Sequence, residues 1–491
     1  MNDFLYLVMD QGGQSSRVLV FDAVGRQRLL LREPVKTRHP MPGRVEQDPV
    51  EVVASIRRLL DKLPDQLGGD IHRLKAAALV TQRSSLVCWD RETAAPLSPV
   101  LSWQDTRAAK YMETLSLSDE EIALHTGLRP NAHYGASKLR WCLDTIPRVK
   151  AALGEQRLAC GPLASYLLYA LTRQHHFAVD PGNAQRTLLW HLPSGDWDEV
   201  LLAQFDIPKS ILPPLQPSAS DFGDLQIGYL QIGDVQLPVA LLNGDQNAAF
   251  FSQGELPGEQ VTINAGTGAF IAVRCAPSVS APAGLLKTLI FETGTEAESA
   301  RRFVVEGTVN GAASALELQA AELGVADYQR SLDQWLKSET VIPLFLNGVG
   351  GLGAPYWRGD FCSRFVDLDA NNNKAALVAV LESIVFLLMV NLLRIRDWRG
   401  EPEPLTRILV GGGLSQLDGF CQRLADLSGL PVIRSADTEA TGRGAAFLLA
   451  GQPGDWLVYP GDEFTPVENA ELAGRFQYWL QRMAEATDKP L

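Results

Sequence analysis

Two acidic residues lie where an apolar, strand-like run of the sequence meets a polar turn. Asp10 follows the run 5–9, and Asp245 follows the run 239–242 and precedes a helix-like segment. A carboxylate at a strand-to-helix junction can accept a proton from a substrate hydroxyl, and a carboxylate beside a Gly- and Ser-rich turn can orient a hydrated Mg²⁺. The two positions are therefore candidates for proton-transfer and metal chemistry, although Asp245 could also serve only to cap the following helix.

The turn after Asp10 has the composition of an anion site. Gly12 and Gly13 allow backbone N–H groups to approach a phosphate closely, and Ser15 and Ser16 can donate hydroxyl hydrogen bonds. This combination suits a nucleotide phosphate. A plain hairpin turn explains the same residues equally well.

Similar Gly-rich turns recur in the second half of the chain, at residues 264–268 and 411–413, each after a strand-like run. The recurrence of strand, Gly-rich turn and strand in both halves predicts two copies of one α/β unit. We place the boundary near Gly244. The expected domains are an N-terminal domain of residues 1–244 and a C-terminal domain of residues 245–491.

The elements that must hold these turns can be predicted from apolar periodicity. Strands are expected at residues 5–9, 17–21, 29–32, 76–81, 260–263, 269–273 and 408–410. Helices are expected at residues 52–63, 122–125, 139–144, 312–323, 375–398, 417–428 and 440–450. Strands that alternate with helices predict mixed α/β layers.

The composition excludes several classes of function. The 491 residues are 46% hydrophobic and carry a net charge of -13, which opposes nucleic acid and acidic membrane surfaces as partners. The six cysteines are scattered and contain no CxxC pair, so we expect reduced thiols, with no zinc site and no disulfide framework. The first residues lack the pattern of a secretion signal, and we expect a cytoplasmic protein.

One apolar stretch, residues 375–393, is long enough to cross a membrane. It contains Glu382, Ser383 and Asn391, which are costly in a bilayer. We therefore expect a buried core helix.

Two nucleotide motifs of other enzyme classes are disfavoured. The phosphate loop GxxxxGK[ST] does not occur in the sequence. A GxGxxG pattern does occur at Gly348, Gly350 and Gly353, but the following residues are 354–357, Ala-Pro-Tyr-Trp, where a dinucleotide fold requires a helix. The hypothesis of an NAD-dependent enzyme is supported by this misplaced pattern alone.

A series of short motifs extends along most of the chain. They are Asp10-Gln-Gly12 with Ser15-Ser-Arg17, Thr81-Gln-Arg83, Trp103-Gln-Asp-Thr-Arg107, Gly244-Asp-Gln246, Gly266-Thr-Gly268, Gly351-Leu-Gly-Ala-Pro-Tyr-Trp357 and Gly411-Gly-Gly413. In their order and approximate spacing they resemble the FGGY carbohydrate kinases, and within that family the members that act on glycerol. The Trp103 and Gly351 strings are the most specific.

The resemblance implies an α/β protein with the actin-like ATPase fold, in which two ribonuclease-H-like domains flank a cleft. It implies ATP and Mg²⁺ as cofactors and a small polyol or sugar as substrate, bound mainly by the first domain, with the nucleotide mainly on the second. Assembly into homo-oligomers is also common in the family.

The resemblance also assigns roles to individual residues. Asp245 would be the general base, and Asp10 would hold Mg²⁺ and is the second catalytic residue. The transferring phosphate would contact Gly12, Gly13, Ser15 and Arg17. The nucleotide would contact Thr267, Gly311, Gly411 and Ser415. The substrate would contact Arg83, Ser84, Trp103, His133, Tyr134 and Gln246.

The sequence departs from the family pattern at three places. Gly13 and Gln14 stand where the phosphate turn usually carries threonine, Ser84 stands where the members that act on glycerol have glutamate, and His133 stands at a substrate tyrosine. A serine is shorter than a glutamate and leaves space, so a longer polyol or a ketose is an alternative substrate. A nucleotide-binding protein that has lost its catalytic activity is a second alternative.

Overall fold

The computed structural model describes residues 3–225, 237–294, 300–339, 341–368, 372–400 and 404–487. The chain separates into two compact units. Unit 1 contains the chain up to Leu256 together with Thr288–Phe303 and Glu439–Val458, and unit 2 contains Pro257–Lys287, Val304–Thr438 and the chain from Tyr459. The domain boundary between residues 244 and 245 stays a prediction.

The strands, in chain order, are β1 (Leu5–Gln11), β2 (Ser15–Asp22), β3 (Gln27–Pro34), β4 (Thr37–Arg38), β5 (Glu46–Gln47), β6 (Leu74–Thr81), β7 (Leu86–Asp90), β8 (Val100–Leu101), β9 (Leu158–Pro162), β10 (Trp190–His191), β11 (Asp196–Trp197), β12 (Val239–Gly244), β13 (Gln260–Ala265), β14 (Ala269–Cys275), β15 (Leu286–Thr293), β16 (Ala300–Val309), β17 (Leu344–Leu346), β18 (Arg364–Val366), β19 (Arg407–Gly411), β20 (Val432–Arg434) and β21 (Asp462–Phe464).

The α-helices are α1 (Pro49–Leu60), α2 (Leu63–Leu67), α3 (Asp119–Thr126), α4 (Gly135–Thr145), α5 (Pro147–Gly154), α6 (Leu163–Leu171), α7 (Pro181–Gln185), α8 (Glu199–Gln204), α9 (Asp245–Ala249), α10 (Ala313–Glu322), α11 (Tyr328–Ser338), α12 (Asn373–Arg399), α13 (Asp418–Ser428), α14 (Ala440–Leu449) and α15 (Ala470–Thr487). The expected strands and helices are confirmed, with ends that differ by a few residues.

The main sheet of unit 1 has the strand order β12-β6-β1-β2-β3. Strands β12, β6 and β1 are parallel, whereas β1, β2 and β3 form an antiparallel meander. Every residue of β1 is buried, which is expected for a strand covered on both faces. Helices α1 and α6 share a hydrophobic cluster with β1, in which Ile56, Leu167 and Leu7 are all fully buried.

A second sheet of unit 1 has the order β4-β5-β8-β7-β9. It is relevant to function because three segments in or next to it carry predicted or candidate site residues. Gln47 lies in β5, Trp103 follows β8, and the turn with Arg83 and Ser84 precedes β7.

Helix α14, although late in the chain, packs within unit 1. Its close approach to α9 requires a glycine, because a Cβ on Gly444 would lie 1.9 Å from the carbonyl oxygen of Ala248. The same helix begins directly after Glu439. The packing therefore fixes a distant part of the sequence beside the helix that carries Asp245.

The strands of unit 2 are neighbours in the order β16-β14-β13-β19-β20-β21 within a seven-stranded sheet. Strand β13 pairs antiparallel with β14 and parallel with β19, and β19 pairs parallel with β20. Unit 1 has the same arrangement around β1, with β2 antiparallel and β6 and β12 parallel. The prediction of one strand arrangement used twice is confirmed.

Helix α12 contains the apolar stretch of membrane length. It is the one described helix with the length and composition of a membrane span, and 94% of its apolar window is buried inside the protein. Its buried Glu382 is paired with Arg423 at 3.0 Å and with Arg475 at 2.6 Å. The predicted core helix is therefore confirmed, and its carboxylate is neutralised as a buried charge requires.

Candidate active site

The carboxyl ends of three parallel strands meet at one edge of the unit 1 sheet. Gln11 of β1 lies opposite Thr81 of β6, and Thr81 lies opposite Gly244 of β12. The turns that leave these strands carry the predicted catalytic, phosphate and substrate residues. Ligands of open α/β sheets bind at the carboxyl edge of the parallel strands, so this edge is the natural candidate for the site.

Asp245 is the first residue of α9, and the cap position of that helix belongs to Gly244. Its side chain is partly buried and accepts a hydrogen bond of 2.7 Å from the backbone N–H of Gln246. Arg83 donates to Oδ1 of Asn247 at 2.8 Å and also to Oε1 of Gln246. Burial raises the pKa of Asp245, and the positive charge of Arg83 opposes that shift. A carboxylate with a raised pKa is a better proton acceptor than an exposed one.

Asp10 is fully buried and belongs to a row of alternating charges. Nη2 of Arg17 lies 2.6 Å from Oδ2 of Asp10, and Nη1 of Arg17 lies 2.7 Å from Oε2 of Glu439. Burial raises the pKa of Asp10 to about 7; Arg17 lowers it, and the negative charges of Asp245 and Glu439 raise it. The two candidate carboxylates therefore lie close enough to influence each other.

The donor set near Asp10 fits a magnesium ion. Oδ1 of Asp10 is buried and has no hydrogen-bond partner among the residues that the structure describes. A carboxylate oxygen of this kind, with a second carboxylate nearby at Asp245, is the hard donor that Mg²⁺ prefers. Bound Mg²⁺ would also remove the cost of burying the charge of Asp10.

The turn after β1 is closed by its own backbone. The N–H of Gly12 donates to the carbonyl of Ser15 at 3.0 Å, so this N–H is used inside the turn. The N–H groups of Gly13 and Gln14 donate to no acceptor in the described part of the chain and are the candidates for binding a phosphate. Oγ of Ser15 accepts a hydrogen bond of 3.2 Å from Arg32, which leaves its own proton free to donate.

The structure contradicts the expectation that Ser16 donates a hydrogen bond to a phosphate. Its side chain is fully buried, and its hydroxyl lies 2.6 Å from Oε1 of Gln11 and 2.6 Å from Oγ of Ser55. Successive side chains of a strand point to opposite faces, so the second serine of β2 faces the interior. Ser16 is therefore a structural residue and not a phosphate donor.

Lys138 of α4 ties two loops of the predicted substrate site together. Its ammonium donates to the carbonyl of Ser84 at 2.7 Å and to the carbonyl of Ser102 at 2.9 Å. These carbonyls belong to the residues directly after Arg83 and directly before Trp103. The side chain of Lys138 is fully buried, and burial lowers its pKa to about 7.

His133 and Tyr134 lie together, with ring centroids 4.0 Å apart. Burial and the positive charges of Lys138, Arg186 and Arg83 hold the pKa of His133 well below its usual value. His133 is therefore neutral at pH 7, and its ring can offer one donor and one acceptor. This electrostatic environment places His133 in the same region as Arg83.

The predicted nucleotide residues of unit 2 lie at the matching edge of its sheet. The carbonyl of Thr267, in the turn between β13 and β14, accepts hydrogen bonds from the backbone N–H groups of Ala312 at 3.0 Å and Ser314 at 3.1 Å. Gly311 precedes this contact, and a Cβ there would lie 2.7 Å from Cβ of Val349. Close packing therefore accounts for the glycine at 311.

Gly411 ends β19 opposite Asn264 of β13, which brings it to the same edge as the turn with Thr267. Gly412 follows with a φ of +88°, a conformation that favours glycine. Ser415 is buried, and its hydroxyl donates to the carbonyl of Gly412 at 2.7 Å. The side chain of Ser415 thus shapes the turn.

Three residues of the unit 1 edge escaped the sequence analysis. They are Gln82, Lys138 and Glu439. A signal existed for Gln82, which lies inside the Thr81-Gln-Arg83 motif, and for Glu439, which is the acidic residue directly before a Gly-containing helix. Nothing in the local sequence distinguishes Lys138 from a lysine on the exposed face of its helix.

The protein has an α/β fold with carboxylates at the carboxyl edge of one sheet. Gly-rich turns lie at the corresponding edge of a second sheet. This combination suits a nucleotide-dependent phosphotransferase. The model of the FGGY family of carbohydrate kinases, N-terminal domain, matches residues 5–252, and the model of its C-terminal domain matches residues 261–451. The chain belongs to the FGGY family of carbohydrate kinases and is an enzyme of that class.

Similar proteins cover nearly the whole chain. A glycerol kinase of Limosilactobacillus reuteri is 30% identical over 504 residues, covering 98% of this chain and 97% of the relative. The crystal structure of Plasmodium falciparum glycerol kinase with ADP has a TM-score of 0.87 at 23% identity, covering 98% of each chain. The ligand-bound xylulose kinase of Lactobacillus acidophilus has a TM-score of 0.82 at 18% identity, covering 98% of this chain and 99% of that one. The predicted actin-like fold is confirmed.

Proposed function

We propose that the protein transfers the γ-phosphoryl group of ATP to a terminal hydroxyl of a small polyol or sugar. The observation that carries the proposal is the partly buried Asp245, with its raised pKa, beside Arg83 and Gln246 at the carboxyl edge of the unit 1 sheet. Family membership and the full-length similarity to glycerol kinases support this reaction.

Asp245 is the general base of the proposed reaction. In its ionised form it accepts the proton of the attacking hydroxyl as that oxygen approaches the γ-phosphorus. Arg83 and Gln246, already joined to each other, bind the neighbouring hydroxyls and so orient the substrate. The raised pKa increases the basicity of Asp245, and the nearby charge of Arg83 keeps the ionised form accessible.

The phosphate is held on the other side of the same edge. The turn with Gly12, Gly13 and Ser15 supplies N–H and hydroxyl donors, and the guanidinium of Arg17 contributes positive charge. Asp10 would hold Mg²⁺, which when bound neutralises charge on the phosphate oxygens. Glu439 would hold Arg17 if Asp10 bound the ion, because the guanidinium contacts both carboxylates.

Unit 2 would bind the nucleotide through Thr267, Gly311, Gly411 and Ser415. Gly411, where an added Cβ would meet no atom within 4 Å, lets the backbone approach a flat ligand, and Thr267 and Ser415 lie in the two turns at that edge. The similarity to glycerol kinases supports ATP as the nucleotide.

The substrate side carries Arg83, Ser84, Trp103, His133 and Tyr134. A longer polyol or a ketose is the second candidate substrate, favoured by the short side chain of Ser84 and the neutral ring of His133. The similarity in fold to a xylulose kinase is consistent with it. No observation favours a catalytically inactive nucleotide-binding protein, and Asp10, Asp245 and Arg83 are all present in the sequence.

A cytoplasmic location and a homo-oligomeric state are part of the same proposal. The scattered cysteines support the first, and the family resemblance supports the second.

A coupled assay of ADP release tests the proposal. The purified protein with ATP and Mg²⁺ is screened against glycerol, tetritols, pentitols, pentuloses and hexuloses, and the phosphorylated product is identified by mass. We expect ADP release that depends on one group of these acceptors. ATP binding without any phosphorylated product across the whole panel would contradict the proposal.

A further inference from the structure

The amide of Gln82, at the turn after β6, has an acceptor that the protein does not use. The side chain is 3% exposed, and its Nε2 donates to Oε1 of Gln47 at 2.7 Å. Its Oε1 is buried and has no hydrogen-bond partner in the described part of the chain. A buried polar atom without a partner is costly, so a ligand that supplies a proton there would be stabilised.

The orientation of this amide is fixed by a chain of hydrogen bonds. The carbonyl of Gly13 can only accept, so Gln47 must turn Nε2 toward it, at 2.7 Å. Oε1 of Gln47 then faces Gln82, which must turn its own Nε2 toward Gln47. Oε1 of Gln82 is left at the end of the chain. A flipped amide at either glutamine would place two donors or two acceptors against each other.

The free acceptor lies beside the position of the missing side chain of Gly13. A Cβ on Gly13 would be 3.6 Å from Oε1 of Gln82 and 3.9 Å from Nε1 of Trp103. The Trp103 side chain is 42% exposed, and its ring N–H has no partner among the described residues. One acceptor and one donor therefore border the same small space.

We propose that Gln82, Trp103 and the side-chain-free Gly13 form a subsite for one additional substrate hydroxyl. A hydroxyl can donate to Oε1 of Gln82 and accept from the N–H of Trp103, whereas a phosphate oxygen offers no proton to Gln82 and a methylene pairs with neither. The inference rests on the proposed function and extends it to the substrate class.

The position of the subsite gives that class. A Cβ on Gly13 would have no atom of Asp245, Arg83 or Gln246 within 4 Å. The subsite therefore takes a hydroxyl beyond those that these three side chains bind at the reacting end of the substrate. The preferred substrate is therefore a polyol or ketose of four or more carbons.

The test measures binding by calorimetry without nucleotide. The member of the acceptor panel that binds most tightly in calorimetry is compared with each of its monodeoxy analogues, for the wild-type protein and for Gln82→Met. We expect one deoxy position to weaken binding to the wild type by about tenfold to a hundredfold, because it leaves a buried acceptor unpaired. In Gln82→Met the ratio between the parent and that analogue should fall to about one, because the acceptor is gone.

A matched control is Gln66→Met, at an exposed glutamine of α2, which should retain the wild-type ratio. If Gln82→Met does not fold, Gly13→Ala decides the question, since its new Cβ makes only ordinary van der Waals contacts and fills the subsite. That variant should bind the longer ligand less tightly relative to glycerol than the wild type does.

Two outcomes overturn the inference. Either all deoxy analogues bind the wild type as well as the parent does, or Gln82→Met and Gly13→Ala weaken glycerol and the longer ligands equally. Both are distinct from failure of the proposed function, which shows as absence of ADP release and leaves the binding ratios unaffected.

Discussion

The two units use the same arrangement of strand, Gly-rich turn and strand, but the carboxyl edges of their sheets differ in character. The unit 1 edge carries charged side chains, where Arg17 lowers and Asp245 raises the pKa of the buried Asp10. The turns of unit 2, residues 264–268 and 411–415, contain no charged residue. One supersecondary arrangement can therefore supply either reactive side chains or a close-fitting backbone surface.

A large loss of activity is expected when the charge of Asp10 is removed from the unit 1 edge. Asp10→Asn removes the buried carboxylate that would hold Mg²⁺, so kcat/KM should fall by about a hundredfold or more. Steady-state kinetics across a Mg²⁺ titration measures it. Activity within threefold of wild type at every Mg²⁺ concentration would show that the charged edge is not used as proposed.

In unit 2, the variant Gly311→Ala tests whether the backbone at residue 311 contributes to nucleotide binding. The new Cβ would lie 2.7 Å from Cβ of Val349 and 2.8 Å from its carbonyl oxygen, which forces the backbone to shift. We expect nucleotide affinity to fall by about tenfold, with a smaller effect on polyol binding. Calorimetry with ADP and with the polyol separates the two.

The control for that variant is Gly258→Ala, also in unit 2, where a Cβ meets no atom within 4 Å. If Gly311→Ala bound ADP as tightly as Gly258→Ala does, the 311 segment would not be part of the nucleotide surface.

Lys138 is a positioning residue of unit 1. It holds the two substrate loops without contacting the reacting atoms itself. In Lys138→Met the carbonyls of Ser84 and Ser102 lose their shared donor. The KM for the polyol should rise by about tenfold, with a smaller change in kcat, since Arg83 and Trp103 lose their fixed positions. A uniform loss of active protein, seen as a lower kcat at constant KM, would contradict a positioning role.

A further effect is expected on the pH dependence of stability. The pKa of Asp10 is raised to about 7 in the folded protein, so the folded state holds a proton that the unfolded state releases above its ordinary pKa. Stability is therefore lost as the pH rises from about 4 to about 7, by at most about 4 kcal/mol. Asp10→Asn should be more stable than wild type at pH 8, and the difference should vanish near pH 4.

Chemical unfolding at both pH values checks the sign of this effect. Equal stability of the two proteins at pH 8 would mean that Arg17 fully compensates the burial of Asp10. Mg²⁺ binding should strengthen over the same pH interval, because the ion competes with the proton for the carboxylate.

The local parts of the site could be predicted from the sequence. Asp10 and Asp245 stand at the ends of clear apolar runs, and the ends of parallel strands meet at one edge of a sheet. Tertiary pairings could not be predicted in this way. Arg17 and Glu439 are separated by 422 positions, and they meet because α14 packs within unit 1.

For Ser16, the sequence predicted a functional role that the structure does not support. A composition rich in hydroxyls predicted two phosphate donors, but strand β2 begins at Ser15, and the alternation of the strand turns Ser16 inward. The acceptor of Gln82 could not be found from sequence either, since its direction depends on Gln47, 35 positions earlier in the chain.

The central claim is that Asp245 accepts the proton of the attacking hydroxyl. Single-turnover phosphoryl transfer to the best polyol should be measured for wild type, for Asp245→Asn and for Asp65→Asn, an exposed control in α2. We predict a rate lowered by about a hundredfold to ten-thousandfold in Asp245→Asn, with the control equal to wild type. A rate in Asp245→Asn within a few-fold of wild type would contradict the account.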